Sequence, residues 1–195
     1  WHCLVAKSAT RCPERRVYGI TTSARDGLLG GWAERIELKP GVRLLPLPEA
    51  LDVLEFMGGG CGLPTAFHAV ERAELRLGET VVVQGSGPVG LNAIVFAQLA
   101  GALRVLAVGA PAPRLAAARR LGAEEALDIE ERRDPEARVR WVLERTNGRG
   151  ADVVIEASGN PLAVREGLEM LRDGGRYVVV GQYTDAGAGS CTPLS

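Results

Sequence analysis

The decapeptide Val81-Val82-Val83-Gln84-Gly85-Ser86-Gly87-Pro88-Val89-Gly90 limits the possible folds of this chain more than any other segment. Val81 to Gln84 is short, β-branched and uninterrupted, as a strand buried on both faces of a parallel sheet must be. The glycines that follow have the spacing G-x-G-x-x-G. After them, Val89, Ala93, Ile94, Ala97 and Ala100 recur at helical intervals, which predicts a helix from 88 to about 100. Strand, glycine turn and helix in that order form a phosphate cradle. Gly85 permits the tight turn, Gly87 lets backbone approach a pyrophosphate, and Gly90 lets the helix lie close to the strand. The free N–H groups and dipole of the helix N-terminus, with Pro88 and Val89 in its first turn, would face the phosphates. The bland reading is a glycine turn of any α/β protein; with the strand before it and the helix after it, the motif implies a dinucleotide.

A second strand is expected at Val105 to Val108. A site restricted to NAD usually ends this strand on Asp or Glu, which holds the ribose 2′-hydroxyl. Here the position is Gly109, and no acid follows until Glu124. Arg114 opens the next helix. Loss of the carboxylate removes the repulsion that excludes a 2′-phosphate, and an arginine can pair with one. The alternative is that Arg114 is a solvated helix residue. NAD and NADP both stay open, with dual or NADP-leaning use expected.

The remaining strands and helices follow the same rhythm. Helix 113–121 closes at Gly122, and Ala126 to Ile129 reads as a strand. A charged helix spans about 134–146, strand 152–156 leads into Ala157-Ser158-Gly159, and Pro161 opens a helix to about 172. Gly174-Gly175 precedes a fifth strand, Tyr177 to Val180, and Thr184 to Ser195 reads as loop. Alternating strands and helices imply a doubly wound parallel sheet. Residues 1–60 differ: they are rich in glycine, proline and short apolar pairs. Gly30 to Leu38 alternates as a strand does, and Val42 to Pro48 reads as an edge segment broken by prolines. The expected division is thus the end of a β-rich domain over 1–60 and a nucleotide-binding domain over 61–195.

Composition narrows the function classes. A formal net charge of −1 over 195 residues gives no reason to expect nucleic acid or an anionic membrane as partner. No run of 18 apolar residues exists, so no membrane-spanning helix is expected. Cysteines at 3, 12, 61 and 191 form no dense disulfide framework, which fits a cytoplasmic protein.

Four segments together resemble the zinc-dependent, medium-chain alcohol dehydrogenases. They are Cys3-Leu-Val-Ala-Lys-Ser-Ala-Thr-Arg-Cys12, Gly-Gly-Trp-Ala-Glu at 30–34, Gly60-Cys61-Gly62-Leu63-Pro64-Thr65-Ala66, and the glycine hexad with Glu156-Ala157-Ser158-Gly159 and Val180-Gly181-Gln182. The resemblance implies a Rossmann-type sheet preceded by the end of a GroES-like catalytic domain. It implies that Cys61 is a ligand of a catalytic zinc and that Cys3 and Cys12 belong to a structural zinc lobe. Thr65, Val180 and Gln182 would then lie near the nicotinamide, and Ser158 near the adenosine side. The expected activity is oxidation of a small alcohol to a carbonyl compound, or the reverse, with NAD or NADP and Zn2+, in a homodimer or homotetramer. The family's other catalytic ligands and structural cysteines are not in this sequence. The chain is therefore expected to be a central fragment with little activity alone.

The bland readings stand beside these. Cys61 could be a small residue in a glycine turn, and Cys3 and Cys12 could be free thiols or a disulfide. His68, on an apolar helix, is expected to pack or cap rather than bind metal. The arginine-rich helix from 132 to 145 also carries glutamates and reads as a solvated face. Glu156 is given no acid–base role. Two other functions remain open: a zinc-free quinone or enoyl reductase, against which the cysteines argue, and a non-catalytic nucleotide-binding module.

Overall fold

The structure, a computed structural model, describes residues 1–42 and 44–182. The expected terminal loop, Thr184 to Ser195, lies with Cys191 outside the described residues. The chain divides into two compact units, Trp1–Pro48 and Glu49–Ser195. The division falls after Pro48, twelve residues before the boundary expected at 60.

In the first unit the backbone forms short 3-10 turns at Ala9–Arg11 and Ala24–Asp26. The strand expected at 30–38 does not form, nor does a ladder over the described part of 42–48. The alternation is present, but alternation alone cannot make a strand. It needs a neighbour to hydrogen-bond and a core to cover. Glu37 N–H donates to Leu28 O at 2.7 Å, and Lys39 N–H donates to the Tyr18 hydroxyl at 2.8 Å. Leu29 is the one buried hydrophobic side chain among the described residues of this unit.

The second unit follows the βα pattern. Its elements are α1 (Val53–Gly59), α2 (Gly62–Arg72), β1 (Thr80–Gln84), α3 (Pro88–Leu99), β2 (Arg104–Gly109), α4 (Ala112–Arg120), β3 (Glu125–Asp128), α5 (Pro135–Arg145), β4 (Ala151–Glu156), α6 (Pro161–Glu169) and β5 (Leu171–Val179). The five strands are parallel in the order β3-β2-β1-β4-β5. Successive residues of each strand point to opposite faces. Val81, Val83, Val105, Ala107, Val153 and Ile155 meet α2, α3 and α4 in one core, whereas Val82, Leu106, Val108 and Val154 meet α5 and Met170 in another. Both faces of the sheet are covered, which is why its strands read as continuous apolar runs.

Two differences from the sequence expectation have local causes. Helix α1 was not anticipated; the Asp52 carboxylate caps it, accepting from Leu54 N–H at 2.8 Å and Glu55 N–H at 3.2 Å. Helix α6 ends at Glu169 rather than near 172 because β4 captures the chain: Ala151 N–H donates to Met170 O at 2.8 Å, and Ala151 pairs with Leu171. Gly150 makes this approach possible, since a Cβ there would lie 2.5 Å from the Leu171 carbonyl carbon. The register then shifts through a bulge before Val153 pairs with Arg176.

Candidate functional site

The carboxyl ends of β1, β2, β3 and β4 converge on a cavity of about 260 Å³. Its lining includes Gln84, Gly85, Ser86 and Gly87 after β1, and Gly109, Ala110 and Arg114 after β2. Ile129 closes one end, and Ala157, Ser158, Asn160 and Ala163 form the wall after β4. Ligands of doubly wound sheets bind at this edge, where the strand order reverses. Here the reversal lies between β1 and β4.

Each glycine of the hexad has a separate geometric reason. Gly85 has φ +106°, and a Cβ on it would sit 2.8 Å from Ala157 C and Ser158 N. It both turns the chain and admits the loop after β4. Gly87 has φ −77° and ψ −178°, and its added Cβ would meet nothing within 4 Å. Its bare backbone borders the cavity. A Cβ on Gly90 would overlap the Gly85 carbonyl oxygen and lie 2.9 Å from its carbon, so Gly90 seats α3 on the turn. Pro88 occupies the first turn of α3, where no N–H partner is lost. Val89 packs partly into the first core.

Several cavity residues carried no assigned role in the sequence analysis. The buried Ser86 hydroxyl donates to Ala110 O at 2.7 Å, tying the glycine turn to the end of β2. Gly109 packs against it, a Cβ there lying 2.9 Å from Ser86 Oγ. Gln84 donates from Nε2 to Ala163 O at 2.9 Å, and Tyr177 OH donates to Gln84 Oε1 at 3.1 Å, which fixes the first turn of α6 against the strand. The fully buried Glu156 carboxylate accepts from Ser158 N–H and Oγ, both at 2.6 Å, and from Gly159 N–H at 2.8 Å. Its main-chain oxygen accepts from Val180 N–H at 2.9 Å and Gly181 N–H at 3.0 Å. Glu156 thus organises both loops beyond β4 and β5. An acid followed by small residues at a strand end was the available signal.

The arginine-rich helix is not wholly solvated. Arg138 and Glu166 are each 9% exposed and line the same cavity. The guanidinium pairs with the carboxylate in two bonds of 2.8 and 2.5 Å, and its Nη1 donates to Arg132 O and Arg133 O at 2.7 Å each. The hydrogen bonds to Glu166 hold Arg138 above its usual pKa despite burial. Helical spacing placed Arg138 on α5 but could not reveal a partner on α6.

Cys61 is exposed and precedes α2 without a side-chain cap hydrogen bond. The Thr65 hydroxyl donates to Cys61 O at 2.7 Å, so its proton is committed to its own helix. A Cβ at Gly62 would sit 3.3 Å from the backbone of Pro88 and Val89, so this segment lies against the start of α3. The Val180 side chain packs on the first core, and Gln182 is exposed beside Gly159. Cys3 and Cys12, in the first unit, are free thiols, as is Cys61. Among the described residues no three His, Cys, Asp or Glu side chains are grouped to hold a metal. His68 is not packed; it is exposed between Glu71 and Arg72, 3.3 Å from each.

A larger open hollow, about 740 Å³, lies at the opposite sheet edge between Gly148, Arg149, Asp152, Arg172 and Asp173. Size does not make it the better site. It has no G-x-G-x-x-G turn and no helix N-terminus, and Asp152 there is engaged by Thr80 N–H at 2.8 Å and Arg172 at 2.6 Å.

Comparison with known proteins gives a consistent picture. Residues 88–193 match the family described as zinc-binding dehydrogenase. A 5-exo-hydroxycamphor dehydrogenase of Pseudomonas putida is 37% identical over 84% of this chain and 45% of its own length. An L-threonine 3-dehydrogenase of Bacillus subtilis is 33% identical over 91% of this chain and 47% of its own. The crystal structure of an alcohol dehydrogenase from Thermotoga maritima superposes with a TM-score of 0.87 at 35% identity, covering the whole of this chain and 53% of that one. The chain spans about half the length of the curated relatives it matches.

Proposed function

The chain belongs to the zinc-binding dehydrogenase family, and on that premise we propose that it supplies the cofactor-binding half of an NAD(P)-dependent oxidoreductase that moves hydride between a small alcohol and its carbonyl compound. The observation that carries this is the β1 turn: an open backbone at Gly87, a helix seated by Gly90, and a cavity beyond. Gly85, Gly87, Pro88, Val89 and Gly90 would hold the pyrophosphate. Gly109 and Arg114 would flank the adenosine ribose, with Ser158 on the same side. Thr65, Val180 and Gln182 would lie toward the nicotinamide. Because Val180 turns its side chain into the core, its contact would come from backbone.

The cofactor, when bound, supplies the hydride chemistry; the residues here orient it and exclude water. Cys61 stands at the start of α2, against the glycine turn, where it could contribute one thiolate to a catalytic zinc. Cys3 and Cys12 would serve a structural zinc. A catalytic zinc takes about three protein ligands and a structural one about four. The described residues do not supply either set, so no chemical step is assigned to a metal. No helix of the described residues is long and apolar enough to cross a membrane. As part of the same proposal, the enzyme works in the cytoplasm as a homodimer or homotetramer.

Isothermal titration of the chain with NADH and with NADPH tests the core of the proposal. One saturable site per chain, competed by 5′-AMP, is expected. Absence of saturation by either cofactor contradicts it.

A further inference from the structure

The cavity beyond the glycine turn contains more charge than its ligand class explains. Its lining holds two cations, Arg114 and Arg138, and one anion, Glu166. Arg114 is exposed and lies past Gly109, whereas Arg138 and Glu166 are buried and joined by two bonds. Arg138 Nη1 also donates to Arg132 O and Arg133 O, in the loop that follows β3. Four of the five donors of a guanidinium are thus used. The wall therefore has a formal charge of +1, and that balance depends on one carboxylate.

Resting on the cofactor reading above, we propose that Glu166 is a specificity-determining residue. By neutralising Arg138 inside the cavity wall, it limits the attraction for a 2′-phosphorylated cofactor to what Arg114 alone provides. A 2′-phosphate brings about two negative charges, and the plain ribose brings none. The charge of the wall therefore acts on NADPH and leaves NADH nearly untouched. Burial keeps this influence from being screened as a surface charge would be. Glu166 does not touch the cofactor in this account; it acts through Arg138.

The two halves of the pair make opposite predictions. Glu166→Gln leaves Arg138 uncompensated, and the NADPH-to-NADH affinity ratio should rise by about tenfold. Arg138→Gln removes the cation and leaves Glu166 in the wall, and the ratio should fall by a similar factor. Arg138→Gln with Glu166→Gln restores the charge sum and should return the ratio to within about threefold of the parent. A purely structural role would weaken both cofactors together and leave the ratio fixed. The measurement is parallel fluorescence titration with NADH and NADPH on variants whose circular dichroism shows a folded chain. If one single variant does not fold, the other still reads the opposite shift. A ratio that stays fixed in a folded single variant overturns the inference, while binding by the parent leaves the cofactor reading intact. A parent chain that binds neither cofactor overturns both.

Discussion

Gly87 and Gly90 are three residues apart, yet replacing each with alanine should produce opposite outcomes. At Gly87 the backbone is already in the extended region that alanine adopts, and its Cβ would enter open space. Folding should be unharmed, or stabilised by about 0.4–1 kcal/mol through the lost freedom of the unfolded chain. The same methyl group would stand where backbone must approach the pyrophosphate. Losing one charge-assisted hydrogen bond costs about 1.5–3 kcal/mol, or roughly 10- to 100-fold in affinity. At Gly90 the Cβ would overlap a main-chain oxygen, which no rotamer change relieves. Helix α3 would have to lift from β1, carrying Ala93, Ile94 and Ala97 out of a fully buried core. Overpacking of this kind costs about 1–3 kcal/mol, and near the upper end a chain of this size should melt about 5–10 °C lower. Thermal unfolding by circular dichroism and NADH titration on both variants separate the effects. A Gly87→Ala chain that binds like the parent, or that melts as early as Gly90→Ala, refutes the reasoning.

Other predictions follow from the opposite sheet edge and from Cys61. Burial alone would raise the Asp152 pKa, but the Thr80 N–H and the Arg172 guanidinium outweigh it and hold the carboxyl below its usual range. Because the folded value is depressed, this stabilisation is complete above the unfolded value of about 3.9 and is lost as pH falls through the folded one. Asp152→Asn should therefore lower stability at pH 7 by about 1–3 kcal/mol, with the gap closing below about pH 4; urea melts that show a constant gap contradict this. On the proposed function, Cys61→Ala in the full-length protein should abolish zinc-dependent turnover while leaving NADPH affinity within about twofold, since the exposed thiol caps no helix. Retained turnover would remove Cys61 from the ligand set.

The doubly wound half was legible because its signals are local. Val81 to Gln84, Val105 to Val108 and Asp152 to Glu156 are buried on both faces, so burial is written in consecutive residues. Gly85, Gly87 and Gly90 were legible because each meets a demand that glycine alone satisfies without strain or obstruction. Gly30 to Leu38 misled because a strand depends on a partner elsewhere in the chain. Helix α1 was hidden by the glycines at its end, although Asp52 and Glu55 carried a capping signal. The pair of Arg138 with Glu166 spans 28 residues and two helices, a distance over which periodicity carries no information. Cys61 as a catalytic ligand, and Cys3 and Cys12 as structural ones, were singled out by resemblance alone, from partners that lie elsewhere in the family's sequence.

The central claim is that a dinucleotide lies across the turn after β1. The most direct measurement is an amide nuclear magnetic resonance titration of the isotope-labelled chain with NADPH. The account predicts saturable shifts at Gly85 to Gly90, at Gly109 and Ala110, and at Ser158 to Asn160, with little change at Gly148, Arg149 and Asp173. Shifts confined to the opposite edge, or none at the glycine turn, would contradict it.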